Sequence, residues 1–207
     1  VYYLTSVETK THIAIFKLEE REDGLGPSSR YQKKGDAKDT SNPLYALKEI
    51  SLYAKDDYYK STSPKPIKTA HFEYNYELCP KVPNNANGGG KLTLKKVWFT
   101  YGNNTRGAQT PYEFTYNTGT TTDDFSYQTQ LVDRWGYYQR NPFRVDTVQY
   151  PNDELVREYN LEHPYVDHKM DKALLDQQKS AWSLTEIALP SGSTMQIDYE
   201  SNEYSYV

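Results

Sequence analysis

Residues 91–117, KLTLKKVWFTYGNNTRGAQTPYEFTYN, contain two alternating segments separated by a polar turn. In both segments an apolar or aromatic residue recurs at every second position: Val97, Phe99, Tyr101, Tyr112, Phe114 and Tyr116. The GNNTRGAQTP between them is rich in Gly and Asn and ends in Pro, a composition that favours chain reversal. This stretch therefore predicts a β-hairpin. We expect its Tyr/Phe face to be buried against neighbouring strands, because alternate residues of a strand share one face.

A short pattern, Leu-x-x-(Val/Ile), precedes an alternating segment at several places in the chain. Its copies begin 43, 47 and 90 residues apart, at Leu4/Val7, Leu47/Ile50, Leu94/Val97 and Leu184/Ile187. A spacing of three breaks strict alternation, so each copy predicts a β-bulge or a bend where the strand starts. Two-stranded units of about 45 residues cannot bury a face alone and are expected to stack side by side. Chance recurrence is the alternative, since the connecting loops differ, and the mainly-β prediction holds in either case.

Outside the hairpin, the sequence predicts another strand, one helix and two loops. Residues 67–78 alternate without a break, which predicts one face that is buried and one that is wet, the latter carrying Thr69, His71, Glu73, Asn75 and Glu77. Residues 167–181 have helical spacing, with Asp167 as the expected N-cap. Residues 21–43 and 79–90 are polar and rich in turn-forming residues, which predicts exposed loops.

The composition bounds the class of protein. Hydrophobic residues make up only 36%, but 21 tyrosines can bury large rings while their hydroxyl groups keep polar partners. A net charge of −4 argues against a nucleic-acid partner, for which a basic surface is the first requirement. No apolar run approaches the roughly 18 residues that suggest a membrane span. The first and last residues resemble strands, so we expect residues 1–207 to be a single β-rich fragment of a longer polypeptide.

Residues with catalytic or metal-binding chemistry form no recognisable constellation. The single cysteine, Cys79, excludes an intrachain disulfide and is interpreted as a small half-buried residue. Acidic pairs in polar turns are interpreted as solvated, and His163, Asp167 and His168 lack further zinc ligands nearby. Asp123, Asp124 and Asp133 do not have the spacing of an EF-hand. We therefore predict no catalytic residue, no cofactor, no metal site and no enzymatic activity.

Residues 133–138, DRWGYY, are the densest local signature in the chain. Trp135, Tyr137 and Tyr138 are the candidate glycan-binding residues, because exposed aromatic faces beside polar side chains suit carbohydrate. Packing within a sheet is the alternative role of these rings.

The order of these segments resembles that of the Rhs/YD-repeat proteins, especially large Tyr-rich surface or secreted members found in Bacteroidota. The stretches that carry the resemblance cover most of residues 44–207: PIKTAHFEYNYELC, GKLTLKKVWFTYG, PYEFTYN, DRWGYY, AWSLTEIALPSG and IDYESNEYSYV. Of the YD signature Tyr-Asp-x-x-Gly-Arg, only Asp133 and Gly136 are present, and Val132 replaces the tyrosine. The resemblance is therefore to a divergent branch.

The resemblance implies antiparallel hairpins stacked in a large, twisted, shell-like sheet that is extracellular or displayed on the bacterial surface. In toxin members the shell encloses a C-terminal effector, and it has no catalytic residues apart from self-cleavage sites that are not matched here. We expect a structural section of such a shell or scaffold, with neighbouring repeats or a partner protein on its strand edges and with secretion machinery as a further partner. A carbohydrate-binding β-domain of a surface protein is the alternative, followed by a fragment of a glycan-active enzyme.

Overall fold

The structure is a computed structural model that describes residues 2–27, 38–39, 43–119, 125–127, 132, 136–139 and 171–200. The described part is mainly β. Its strands are β1 Ser6–Glu8, β2 His12–Glu20, β3 Gly26–Pro27, β4 Lys38–Asp39, β5 Tyr45–Ala54, β6 Lys68–Leu78, β7 Lys91–Thr100, β8 Tyr112–Tyr116, β9 Leu184–Ala188 and β10 Thr194–Gln196. Its helices are α1 Lys55–Lys60, a 3-10 turn Arg106–Gln109, and α2 Lys172–Lys179.

Eight of the strands form one antiparallel sheet in the order β1-β2-β5-β6-β7-β8-β9-β10. β3 and β4 form a separate two-stranded ladder. The mainly-β, antiparallel fold predicted from the sequence is thereby confirmed, and so is the hairpin in residues 91–117, where β7 pairs with β8. None of the helices in the described ranges is long and apolar enough to cross a membrane.

Three of the Leu-x-x-(Val/Ile) motifs lie at β-bulges, as their spacing predicts. In β5, Leu47 is opposite Leu18 and Ile50 is opposite Phe16, with one extra residue accommodated between the two pairs. The bulge restores the phase that a spacing of three would lose, so the leucine and the isoleucine point to the same face. β7 and β9 repeat this arrangement. In the first copy Val7 is in β1, whereas Leu4 precedes the strand.

The pairing register is the same in every copy. The sheet consists of four hairpins, β1–β2, β5–β6, β7–β8 and β9–β10. Within a hairpin the Val/Ile position pairs as follows: Val7 with Ala14, Ile50 with Ala70, Val97 with Tyr112, and Ile187 with Met195. Between hairpins the pairs are Phe16 with Ile50, Phe72 with Val97, and Phe114 with Ile187. A common register at every junction favours a structural repeat over chance recurrence.

Tyrosine hydroxyl groups stabilise the bulged strands. Each donates a hydrogen bond to the carbonyl oxygen of the motif leucine in the same hairpin: Tyr74 to Leu47 at 2.8 Å, Tyr116 to Leu94 at 2.8 Å, and Tyr199 to Leu184 at 3.0 Å. A bulge disrupts the regular ladder, so this hydroxyl gives the leucine carbonyl a partner. Leu18 occupies the equivalent position in the first hairpin, which therefore lacks the bond.

The two faces of the sheet differ in polarity. One face carries the motif leucines, valines and isoleucines with their cross-strand aromatic partners, whereas the other carries mainly polar and charged side chains. The apolar face was expected to be buried, but in the 91–117 hairpin five of its residues are half-buried and Tyr101 is 58% exposed. The described elements contact mainly their neighbours along the sheet. No described helix or strand therefore forms a second layer over this face.

Several local predictions need correction. Thr69 was expected on a wet face but is only 5% exposed, because it lies between two strands and its hydroxyl group is 3.1 Å from that of Ser51. The helix begins later than predicted, at Lys172, and its N-cap is Asp171, whose carboxylate accepts a hydrogen bond from the Ala173 amide at 2.7 Å. Asp167 lies outside the described residues.

The connection between β6 and β7 also differs in part from expectation. Residues 79–90 contain no helix or strand, as predicted. The segment is not fully exposed, however, because Cys79, Val82 and Asn85 are buried. The Asn85 side chain donates to the Gly90 carbonyl at 2.9 Å and so links the middle of the loop to its last residue.

We predict that Tyr116→Phe lowers the free energy of unfolding by about 1 kcal/mol, because it leaves the Leu94 carbonyl without the hydroxyl donor. Tyr112→Phe is the matched control in the same strand, since Tyr112 stacks edge-on against Phe99 through its ring. Urea denaturation of both variants measures the difference. Equal losses in the two variants would contradict a role for the Tyr116 hydroxyl.

Gly107→Ala should destabilise the third hairpin by about 2 kcal/mol. A Cβ atom at this position would lie 1.8 Å from the Phe99 carbonyl oxygen, so the backbone would have to move. Gly26→Ala is the control, because no atom lies within 4 Å of its Cβ position. Thermal unfolding followed by circular dichroism should show a lower Tm for Gly107→Ala alone.

Candidate functional site

The candidate glycan-binding residues do not form an open aromatic platform within the described ranges. Tyr138 is 4% exposed and Tyr137 is 50% exposed, whereas Trp135 lies outside the described residues. The ammonium group of Lys179 is 5.3 Å from the centroid of the Tyr137 ring and occupies one of its faces. Sugar stacking at Tyr137 would have to use the other face or displace the lysine.

Tyr138 belongs to a small aromatic core beside the first residue of β9. Its ring packs edge-on against Phe125 at 4.9 Å and against Trp182 at 5.4 Å. The indole N–H of Trp182 donates to the Phe125 carbonyl at 3.0 Å. Phe125 is completely buried, so these three rings stabilise the connection between β8 and β9.

The polar face of the sheet brings together a histidine, a carboxylate and a hydroxyl group. His71 stacks on Trp98 with ring centroids 5.1 Å apart and an interplanar angle of 8°. One of its ring nitrogens, Nε2, is 2.8 Å from the Thr100 hydroxyl, and Nδ1 is 3.6 Å from Glu49 Oε1. The cluster joins β5, β6 and β7 across the middle of the sheet.

The order hydroxyl, imidazole, carboxylate is also that of a nucleophilic triad, but the surroundings favour a structural role. A triad requires N–H donors aimed at a developing oxyanion beside the nucleophile. Thr100 lies within a strand and opposite Thr69, so its neighbours are ladder residues. The same Glu49 also pairs with Lys17 at 3.4 Å on β2, which extends the cluster into a cross-strand network of four strands. This network stabilises the register on the polar face.

A buried ion pair connects the loop after β2 to β7. Arg21 donates two hydrogen bonds to Asp23, at 2.9 and 2.8 Å, and the Asp23 side chain is 1% exposed. The carboxylate also accepts a hydrogen bond from the Leu92 amide at 2.9 Å. Burial by itself would raise the pKa of the Asp23 carboxyl, but the hydrogen bonds from Arg21 and Leu92 outweigh it and lower the pKa below its ordinary value.

The same region receives further polar contacts from β6 and from the 79–90 loop. The Tyr76 hydroxyl accepts a hydrogen bond from the Glu22 amide at 2.9 Å, and the Asn87 amide group donates to the Glu22 carboxylate at 2.9 Å. Burial raises the pKa of the Tyr76 hydroxyl. These contacts join the first two hairpins near the strand termini from which the connections between hairpins start.

Cys79 and the acidic residues form no reactive or metal-binding cluster in the described ranges. Cys79 is 7% exposed, and burial raises the pKa of its thiol, which disfavours the nucleophilic thiolate. No group of three or more His, Cys, Asp or Glu side chains among the described residues could hold a metal ion. His163, Asp167 and His168, with Asp123, Asp124 and Asp133, lie outside the described residues.

Exposed apolar side chains lie at both ends of the sheet, in or beside its terminal strands. Leu4 is 57% exposed and Val7 46% at the β1 end, while Met195 is 52% exposed and Tyr199 41% at the β10 end. Within the described part of the chain, β1 and β10 are the terminal strands of the sheet. A terminal strand presents unpaired N–H and C=O groups, so each end can accept another strand.

The contribution of the Arg21–Asp23 ion pair to stability should depend on pH, and replacing Asp23 should show this. The lowered pKa means that its contribution to stability is present above the unfolded-state pKa of about 3.8 and is lost as the pH falls below that value. We expect Asp23→Asn to cost about 2 kcal/mol near neutral pH, with a smaller difference from the unmodified chain in acid. Asp56→Asn, at an exposed position of α1, is the matched control and should cost under about 0.5 kcal/mol. Urea denaturation across the acid range measures both, and a pH-independent gap for Asp23→Asn would contradict the assignment.

Comparison with known proteins gives no relative for this chain. No protein-family model, no curated protein and no solved structure matches it. The features of the chain that bear on its function are therefore the hairpin register, the two faces of the sheet and its two ends.

Proposed function

We propose that this chain is a structural section of a β-sheet shell or scaffold, in a large secreted or cell-surface protein similar to the Rhs/YD-repeat proteins. The common register of its four hairpins carries this proposal. A unit that pairs with its neighbours in the same way each time can extend a sheet without limit, which is what a wall requires. In this role the chain is not an enzyme and needs no cofactor.

The distribution of polarity along the sheet supports a wall with two different sides. The apolar side carries half-buried residues such as Phe72, Val97 and Phe114, one from each of three neighbouring strands. The polar side carries cross-strand ion pairs, including Lys17–Glu49 at 3.4 Å and Lys96–Glu113 at 3.2 Å. A large, half-exposed apolar face favours coverage by other parts of an assembly. In a shell, that face would enclose or present an effector.

The partners in this proposal are neighbouring repeats of a longer chain or a partner protein on the strand edges. Export of such a section would make the secretion machinery a further partner. A carbohydrate-binding β-domain is the competing function, and the position of Tyr138 in an aromatic core weakens it. The Tyr137 ring, half-exposed and stacked with Lys179, is the described residue on which that alternative depends.

Two measurements on the 207-residue chain distinguish these functions. Sedimentation velocity over a range of concentrations should show self-association, because an extendable sheet has open edges, and a glycan array should show no saturable binding. The glycan array includes Tyr137→Ala, with Tyr2→Ala as the control at a fully exposed position. A monomer that binds one glycan class, and loses that binding in Tyr137→Ala alone, would overturn the scaffold proposal.

A further inference from the structure

The bulge of each Leu-x-x-(Val/Ile) strand forms against the strand that precedes it in the sheet. The register shifts in β5, β7 and β9 occur in their pairing with β2, β6 and β8. β1 carries the same motif, with Val7 in the strand, but it has no preceding strand in the described part of the chain. This accounts for the short β1 and for Leu4 lying outside it. The β1 end is therefore an incomplete copy of a junction that the interior of the sheet completes three times.

The β10 end lacks the opposite partner, because no Leu-x-x-(Val/Ile) strand follows β10 in the described part of the chain. β2, β6 and β8 each pair with a following Leu-x-x-(Val/Ile) strand through residues at equivalent positions. In β10 and the residues after it, these positions are held by Ile197 and Tyr199, two and four residues after Met195. The Ile197 amide and the Tyr199 hydroxyl group bond back to β9, so this segment is held beside the sheet. Its outer edge has the form of the interior strands that accept a Leu-x-x-(Val/Ile) partner.

We propose that these two ends are complementary, so that β10 of one copy of the chain pairs antiparallel with β1 of a second copy. The interior junctions give the register: Ile197 lies opposite Val7, as Phe114 lies opposite Ile187, and Tyr199 lies opposite Leu4, as Tyr116 lies opposite Leu184. This pairing rests on and deepens the proposed scaffold function, because it names the partner as another copy of the same hairpin unit.

The side chains that would meet at this junction are compatible. On the apolar face Ile197 and Tyr199 would cover Val7 and Leu4, which are 46% and 57% exposed in the single chain. The apolar side of one copy therefore continues into the apolar side of the next, because the pairing preserves the alternation of faces.

On the polar face the same register avoids repulsion between like charges. Asp198 would lie opposite Ser6, and Gln196 would lie opposite Glu8. The Glu8 carboxylate already pairs with Lys55 of its own chain. Like charges directly opposite one another destabilise a strand pair, and none arises here. The contact is head to tail, so each added copy presents a new free end and the product is a ring or an open filament.

Disulfide crosslinking between two differently tagged copies tests the register directly. Both chains carry Cys79→Ser, one also carries Ser6→Cys and the other Asp198→Cys. Under mild oxidation the mixture should give a disulfide-linked heterodimer, in which the two thiols together lose two electrons to the added oxidant and release two protons. Ser6→Cys mixed with Glu200→Cys is the matched control, because Glu200 is two residues out of register on the same strand segment. Equal yields for the two mixtures, or predominant Ser6→Cys homodimers, would overturn the proposed pairing.

A charge at the β1 end provides an independent measurement. Val7→Lys should reduce the self-association constant measured by sedimentation at least tenfold. Tyr101→Lys, at a residue of similar exposure in a hairpin turn, should leave that constant unchanged. Self-association that survives Val7→Lys and gives no Ser6–Asp198 crosslink would overturn this pairing and leave the scaffold function standing. A chain that is monomeric and gives no crosslink overturns the pairing, and glycan binding by that monomer would overturn the scaffold function as well.

Discussion

The bulge at the Leu-x-x-(Val/Ile) motif is the constraint on which the rest of the sheet depends. It allows two apolar residues spaced three apart to point to one side of a strand that would otherwise alternate. Without it, Leu47 or Ile50 would turn to the polar face and lose its apolar partner on β2, which is Leu18 or Phe16. The tyrosine hydroxyl that bonds the leucine carbonyl then fixes the bulge within its own hairpin. Many tyrosines and a low mean hydropathy are thus compatible with an ordered apolar face.

In the part of the chain that the structure describes, the sheet has one apolar side, and β1 and β10 are its terminal strands. Each interior hairpin has a neighbouring hairpin paired to both of its strands. The first and last hairpins have a neighbouring hairpin on one side only, at β2 and at β9. The residues left over at those ends are the apolar positions of the same repeat, so the ends are suited to strands like those already in the sheet. The proposed scaffold function and the proposed head-to-tail pairing therefore rest on the same repeated geometry.

Contacts between residues far apart in the chain have the weakest signal in the sequence. The stack of His71 on Trp98 joins two strands, and the Asp23 carboxylate reaches the Leu92 amide. Neither contact has a local signal, although Arg21 and Asp23 are close enough in sequence to suggest an ion pair. The burial of Tyr138 was equally inaccessible, because an aromatic residue in a polar segment can pack or remain exposed, and its neighbours Phe125 and Trp182 decide which.

The sequence by itself determined the 91–117 hairpin, the strand in residues 67–78 and three of the four bulges, because alternation and its phase slips are encoded by residues a few positions apart. It also indicated a helix, in residues 167–181, but neither its observed bounds, Lys172–Lys179, nor its cap. The order of the strands and the common register of the junctions were decided only in the tertiary structure. So was the fact that β8 pairs directly with β9 across a connection of more than sixty residues. The physical reason is that a pairing partner is chosen by the fit of whole strands across space, and no short stretch of chain contains that information.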